Sequence, residues 1–215
     1  MMTNKIGLIA GEGKMPVYIA QKATSKGYEV YVAGAKGNAK ENDYKTCAKV
    51  FRAFRLGQLG AGIRFFKEHG VTRVIMAGRV QHTSIFTNLM PDLRGAKFLA
   101  SLKNMQTKNI LSRVMDEFKK DGIEFEHSAL FLEDFMPQKG VLSARKPTAE
   151  EQQAAEFGYK TAKAIAALDI GLTCVVSQNA VIAVEGMEGT DRCILRAGEL
   201  YRESAEKKSS VAVVK

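Results

Sequence analysis

Glu185, Glu188 and Asp191 put three carboxylates within seven residues of Val181-Ile-Ala-Val-Glu-Gly-Met-Glu-Gly-Thr-Asp191. Like charges this close repel, and a cation or a ring of hydrogen-bond donors has to offset the repulsion. Gly186 and Gly189 each follow a glutamate, and glycine lets the backbone turn through conformations closed to other residues. The side chains can then converge on one point, as a site that handles a metal ion or a water would require. A second reading of the same residues stays open. Thr190 or Asp191 can cap the helix expected over 192–203, with Glu188 favoured by that helix's dipole.

A second group lies near the N-terminus. Gly11-Glu-Gly13-Lys-Met-Pro16 follows an apolar strand and has half of a dinucleotide fingerprint. Its glycines allow a tight turn and close approach of a phosphate to the following helix start. The third fingerprint position is proline, and Tyr31 to Ala35 offer no acidic residue to hold a ribose, which argues against a nicotinamide cofactor. A phosphate or nucleotide loop and a merely structural turn both remain. Gly78-Arg79 ends another strand, where open parallel sheets bind ligands; Arg79 can clamp a phosphate or stand simply as an exposed loop arginine. His82 reads as a surface histidine and Asp169 as a helix-end turn residue. No nucleophile elbow, Cys–His motif or Walker loop is present. Carboxylates plus basic phosphate binders suit metal-assisted hydrolysis at phosphorus.

The elements that must position these residues are legible in part. Strands are expected at Lys5–Ala10, Glu29–Ala33, Thr72–Ala77 and Ile123–Glu126, with a less clear one from Phe51 to Leu56. Helices are expected from Pro16 to Lys26, over Leu59–Glu68, and through the helical spacing of residues 95–120. This alternation predicts a doubly wound α/β domain with a parallel sheet. Pro137, Gly140 and Pro147 interrupt periodicity near 133–147, and the division expected is residues 1–133 and 134–215. Thr148 with Glu151 makes a capping box for a helix reaching Leu168. Strands follow at Val175–Ser177 and Val181–Glu185. Val211–Val214 also has strand composition just before Lys215, so the chain reads as stopping short.

Composition narrows the class. The chain has 215 residues, is 46% hydrophobic and carries a formal charge of +9. It is long enough for a sizeable core. No apolar run reaches spanning length and no signal peptide opens the sequence. Cys47, Cys174 and Cys193, like the three histidines, are scattered, which speaks against a disulfide framework and a zinc site. A cytoplasmic protein with anionic partners is expected. Dispersed basic residues without recognition signatures speak against nucleic acid.

Several blocks together resemble one family. They are Gly7–Pro16, Leu56-Gly-Gln-Leu-Gly60, Val74–Val80, Leu89-Met-Pro-Asp92, Leu168-Asp-Ile-Gly171 and Val181–Asp191. In this order they are similar to the UDP-2,3-diacylglucosamine pyrophosphatases of lipid A biosynthesis. The resemblance implies an N-terminal Rossmann-like domain and a C-terminal mixed α/β domain with the lipid substrate between them. It implies magnesium-dependent hydrolysis to 2,3-diacylglucosamine 1-phosphate and UMP. On that analogy Asp191 and Glu188 are catalytic, and Glu185, Glu188 and Asp191 hold the Mg2+ ion. Gly11, Gly13, Gly78, Arg79 and Thr190 contact substrate. A UDP-diacylglucosamine-type substrate further implies transient peripheral contact with the inner membrane, a possible homodimer, and an acyl groove; Phe98, Leu102 and Met105 can face that groove, though core packing is the commoner fate of such residues. The chain departs from the family at Leu172, where glutamine is usual, and at Ala154-Ala155, where Asp-Ile is usual. Family members also continue past a Val-Lys like Val214-Lys215 into a further acidic stretch. The expectation is therefore low activity or none as given, with a non-catalytic nucleotide-sugar or lipid-binding protein as the alternative.

Overall fold

A computed structural model of the chain describes residues 4–79, 89–102, 107–203 and 210–215. The chain is mixed α/β and divides into two compact units, Met1–Met136 and Pro137–Lys215.

In the first unit, β1 (Lys5–Ala10), β2 (Glu29–Ala35), β3 (Val50–Phe54), β4 (Arg73–Ala77) and β5 (Glu124–Phe125) form one sheet. Its order is β3-β2-β1-β4-β5 and every pair is parallel. The order reverses about β1, the point at which open parallel sheets form a crevice at the carboxyl ends of their strands. Side chains alternate across the pleat, and β2 shows the consequence. Val30 and Val32 pack with Ile19, Ala20 and Ala23 of α1 (Met15–Ser25), on one face. Tyr31 and Ala33 share the other face with Ile63 and Phe66 of α2 (Leu59–Glu68) and with Phe118. A sheet covered on both faces needs apolar residues in consecutive positions, and β2 is buried from Val30 through Gly34.

The helical spacing read over 95–120 is carried by two helices, α3 (Leu93–Ala100) and α4 (Thr107–Lys119). Asp92 starts the first of them. Its carboxylate accepts from Gly95 N at 2.8 Å and from Ala61 N, in the first turn of α2, at 2.8 Å. Burial opposes its charge, but the Gly95, Ala61 and Gly60 amides outweigh it and hold the pKa below the ordinary carboxylate value. Met90 N also donates to Leu56 O at 2.9 Å. The blocks Leu56–Gly60 and Leu89–Asp92 thus form a joint between two helix N-termini. The end of the unit is strapped onto α1: Phe135 meets Tyr18 edge-on at 4.3 Å, and Lys26 pairs with Glu133 at 2.8 Å.

The second unit has an antiparallel sheet, ordered β7-β6-β8, of β6 (Cys174–Ser177), β7 (Ala180–Val184) and β8 (Val211–Val214). Cys174 and Val176 face α5 (Ala149–Ala167), through Ala154, Phe157, Ala162 and Ile165. Val175 and Ala183 face α6 (Thr190–Glu203), through Cys193 and Ala197. The capping box forms, with Thr148 and Glu151 bonded reciprocally and Arg145 paired to Glu151 at 2.8 Å. Asp169 occupies the position after the C-cap of α5 with φ +56°. Ile170 N returns to Ile165 O and Asp169 N to Ala166 O, the pattern that closes helices with a left-handed residue. Cys47, Cys174 and Cys193 are buried free thiols.

Two outcomes follow from the caps. Asp92→Ala removes an acceptor from two helix starts at once, so unfolding in urea should show a loss of about 2 kcal/mol at neutral pH, near 1 kcal/mol per cap. The Arg145 guanidinium, with the Thr148 amide, lowers Glu151 from 4.5 to about 2. A depressed carboxylate stabilises the folded state fully above its unfolded value and loses that contribution as pH falls through the folded one. Circular dichroism should therefore show α5 holding at pH 5 and weakening between about pH 4.5 and 2, and Glu151→Gln should flatten that change.

Candidate functional site

The carboxylate loop of the second unit is built on one buried acid. Glu185 follows β7 and is only 9% exposed. Its Oε1 accepts from Thr190 Oγ1 at 2.9 Å and its Oε2 from Leu172 N at 3.2 Å. Its own amide donates to Thr173 O at 2.8 Å. Thr190 Oγ1 in turn accepts from Lys215 Nζ at 2.7 Å and lies 3.3 Å from Thr173 Oγ1. Burial pushes against ionisation, but hydrogen bonds from Thr173, Thr190 and Leu172, with the Lys215 charge, prevail and lower the pKa. Gly171 makes this contact possible, because a Cβ there would overlap the Glu185 carbonyl oxygen. The Leu168–Gly171 block is therefore the wall against which the Val181–Asp191 block is set.

Glu188 is held differently. Arg196 Nη2, two turns along α6, donates to its Oε1 at 2.7 Å and to Val184 O at 2.9 Å. Gly186 N donates to its Oε2 at 2.9 Å. Arg196 is the main reason its pKa lies below the ordinary value. Gly189, at φ +84°, turns the chain into α6. Asp191 stands exposed in the first turn of that helix and makes no hydrogen bond or ion pair among the described residues. Thr190 does not serve as a helix cap; its hydroxyl is directed to Glu185.

Among the described residues no group of three His, Cys, Asp or Glu side chains is gathered so that it could hold a metal ion. Glu185 and Glu188 have nearer partners: Thr190 and Leu172 offset the charge of Glu185, and Arg196 offsets that of Glu188. Arg196, Thr173 and Lys215 carried no signal in the sequence, since each reaches the loop only through tertiary packing. Glu188 lies in the turn before α6, so no helical period links it to Arg196 in the sequence.

The first unit brings the other expected residues together. Glu12 N donates to Arg79 O at 2.8 Å and Arg79 N to Glu12 O at 3.0 Å, so the loops after β1 and β4 are laced by their backbones. Gly78, at φ +92°, passes so close to Gly11 and Pro16 that a Cβ would meet both at 2.8 Å. Arg79 is largely exposed, its Nη2 3.8 Å from Glu12 Oε2. Beside Gly11 and Gly13 opens a cleft of about 620 Å³. Its other walls include Lys14 at the N-cap of α1, Val17, Tyr18 and Gln21 of α1, and Asn38, Lys40, Asp43 and Tyr44 after β2. Phe98 is buried and Leu102 half-buried, whereas Met105 and His82 lie outside the described residues. No described helix is long and apolar enough to cross a membrane.

Comparison with known proteins agrees across both units. The LpxI N-terminal domain matches residues 5–135 and the LpxI C-terminal domain residues 138–215. A curated UDP-2,3-diacylglucosamine pyrophosphatase LpxI of Caulobacter vibrioides is 34% identical over 200 residues, 91% of this chain and 70% of that protein. Among solved structures, Bordetella bronchiseptica WbmG, in complex with NAD and UDP, is 15% identical with a TM-score of 0.36. It is covered over 57% of this chain and 36% of its own. UDP-glucose 4-epimerase of Bifidobacterium longum gives 14% identity and a TM-score of 0.37, over 57% of this chain and 36% of its own. Likeness at that level carries no argument about ligand or chemistry. The family match, continuous over both units, does: this chain belongs to the LpxI family.

Proposed function

We propose that this chain hydrolyses the diphosphate of UDP-2,3-diacylglucosamine to 2,3-diacylglucosamine 1-phosphate and UMP, in lipid A biosynthesis. The observation that carries the proposal is 34% identity over 91% of the chain to a pyrophosphatase of that name. The geometry supplies a division of roles. Asp191, exposed in the first turn of α6, takes the proton of the attacking water as a P–O bond of the diphosphate breaks. The positive end of the helix favours an approaching phosphate. Glu185 and Glu188 are positioning residues: the first fixes Thr190, and the second ties the turn to Arg196. In the first unit, the Gly11–Gly13 loop and Arg79 hold phosphate or nucleotide.

Glu185 and Glu188 already accept hydrogen bonds from protein donors at both oxygens, so of the three acids Asp191, exposed and without such donors, is the freest to meet a magnesium ion. Magnesium takes few protein carboxylates and completes its shell with water and substrate phosphate. When bound, such an ion would neutralise charge on the diphosphate. Exposed apolar side chains flank the loop, Ile170 and Leu172 beside Gly171 and Met187 beside Glu188. They support an encounter with acyl chains at the cytoplasmic face of the inner membrane, made by a peripheral protein with a basic surface.

Incubation with UDP-2,3-diacylglucosamine and Mg2+ should release UMP, followed by chromatography. Asp191→Ala should lower the rate by about 10²-fold or more with an unchanged melting temperature, because the side chain is exposed. Substrate retained intact on the protein, with no UMP formed, would leave a binding protein in place of a hydrolase. Gly171→Ala should reduce both turnover and stability, the latter by about 2 kcal/mol, since its methyl group overlaps the Glu185 backbone.

A further inference from the structure

The cleft beside the glycine loop holds a polar group with no structural work to do. Tyr44 ends a 3₁₀ turn, Glu41–Tyr44, with its ring stacked on Phe51 at 5.4 Å between centroids. It is 1% exposed and lines the cleft. Its hydroxyl makes no hydrogen bond among the described residues, where every fully enclosed polar side-chain atom does have a partner. The oxygen is therefore the part of Tyr44 that reaches the opening. A hydroxyl so placed is costly to leave unpaired and gains a partner when a polar ligand enters. Burial raises its pKa to about 12, so it stays a neutral donor at physiological pH.

The rest of the cleft is polar and mostly basic. Lys14, at the N-cap of α1, and Lys40, just before the 3₁₀ turn, line its wall, with Asp43 the one acid among the lining residues. Lys14 makes no side-chain cap to α1. Asn38 adds an amide able to donate and accept. A volume near 620 Å³ is in the range of small-molecule sites.

We infer that this cleft seats the nucleoside 5′-phosphate end of the substrate, with Lys14 and Lys40 on phosphate and the Tyr44 hydroxyl and Asn38 on the nucleoside. That the nucleoside is uridine rests on the pyrophosphatase reading; the site itself does not. Tyr44 and Lys40 thereby become specificity residues lying outside every sequence block that marks the family resemblance. The test is titration of the full chain with UMP, followed by calorimetry or amide shifts. UMP should bind, and Tyr44→Phe, which removes one oxygen from a ring that stays packed, should weaken it about tenfold. Lys40→Ala, at an exposed position, should weaken it by about as much, and Lys163→Ala in the second unit should bind as the parent does. Failure of UMP to bind the folded chain, or binding undiminished in both Tyr44→Phe and Lys40→Ala, overturns the inference. Turnover of UDP-2,3-diacylglucosamine without UMP binding would remove this site and spare the pyrophosphatase reading. UMP binding without turnover would do the reverse.

Discussion

An ionised carboxylate withdrawn from water must find donors inside the protein, and at Glu185 that requirement organises the whole second unit. Its partners come from three places: Leu172 and Thr173 ahead of β6, Thr190 at the start of α6, and Lys215 after β8. None of these lies within a residue of another in space by virtue of local sequence except the first two. The sheet order β7-β6-β8 is what delivers them, because it sets the end of β7 beside the start of β6 and the end of β8. Gly171 then removes the last steric obstacle. A broken donor here would leave a buried charge uncompensated, a larger loss than a missing hydrogen bond at the surface.

The first unit solves a similar problem with the backbone. Its site loops follow β1 and β4, neighbours in the sheet, and the paired amides and carbonyls of Glu12 and Arg79 lock one loop to the other. Because the main chain does the holding, the Arg79 side chain stays exposed and available to an anion. In the second unit the side chains of Glu185 and Glu188 do the holding themselves. Charged side chains therefore differ in their freedom to meet a ligand, depending on which part of the chain supplies the rigidity.

Legibility in the sequence followed the same line. Lys5–Ala10 and Leu59–Glu68 were readable to the residue, since strand and helix there are dictated by local apolar pattern. The Thr148–Glu151 box was readable because both partners lie within one turn. The α/β alternation likewise follows from short-range periodicity. The Leu56–Gly60 and Leu89–Asp92 blocks were visible as motifs, yet their joint at Asp92 depends on amides from two helices about thirty residues apart, as the Ala61 bond shows. Tyr44 gave no signal at all: an aromatic after a polar run looks the same whether its hydroxyl meets solvent, protein or a cleft. The one helical run expected over 95–120 is two helices, because the apolar period says nothing about where a chain bends.

Crowded acids in a sequence invite the thought that all of them work on the ligand. The hydrogen bonds argue for an unequal arrangement. Glu185 and Glu188 have lowered pKa values, each with specific donors that hold the carboxylate in place. Breaking the Arg196 contact would also release Val184 O and loosen the turn through Gly186. Asp191 can change partners at no such expense, and its place in the first turn of α6 is fixed by the very network the glutamates maintain. On the proposed reading, two acids set the shape of the loop so that a third can meet the phosphate. Charge at 185 and 188 then matters to the reaction through the position of residue 191, and shortening either glutamate would act by displacing that carboxylate.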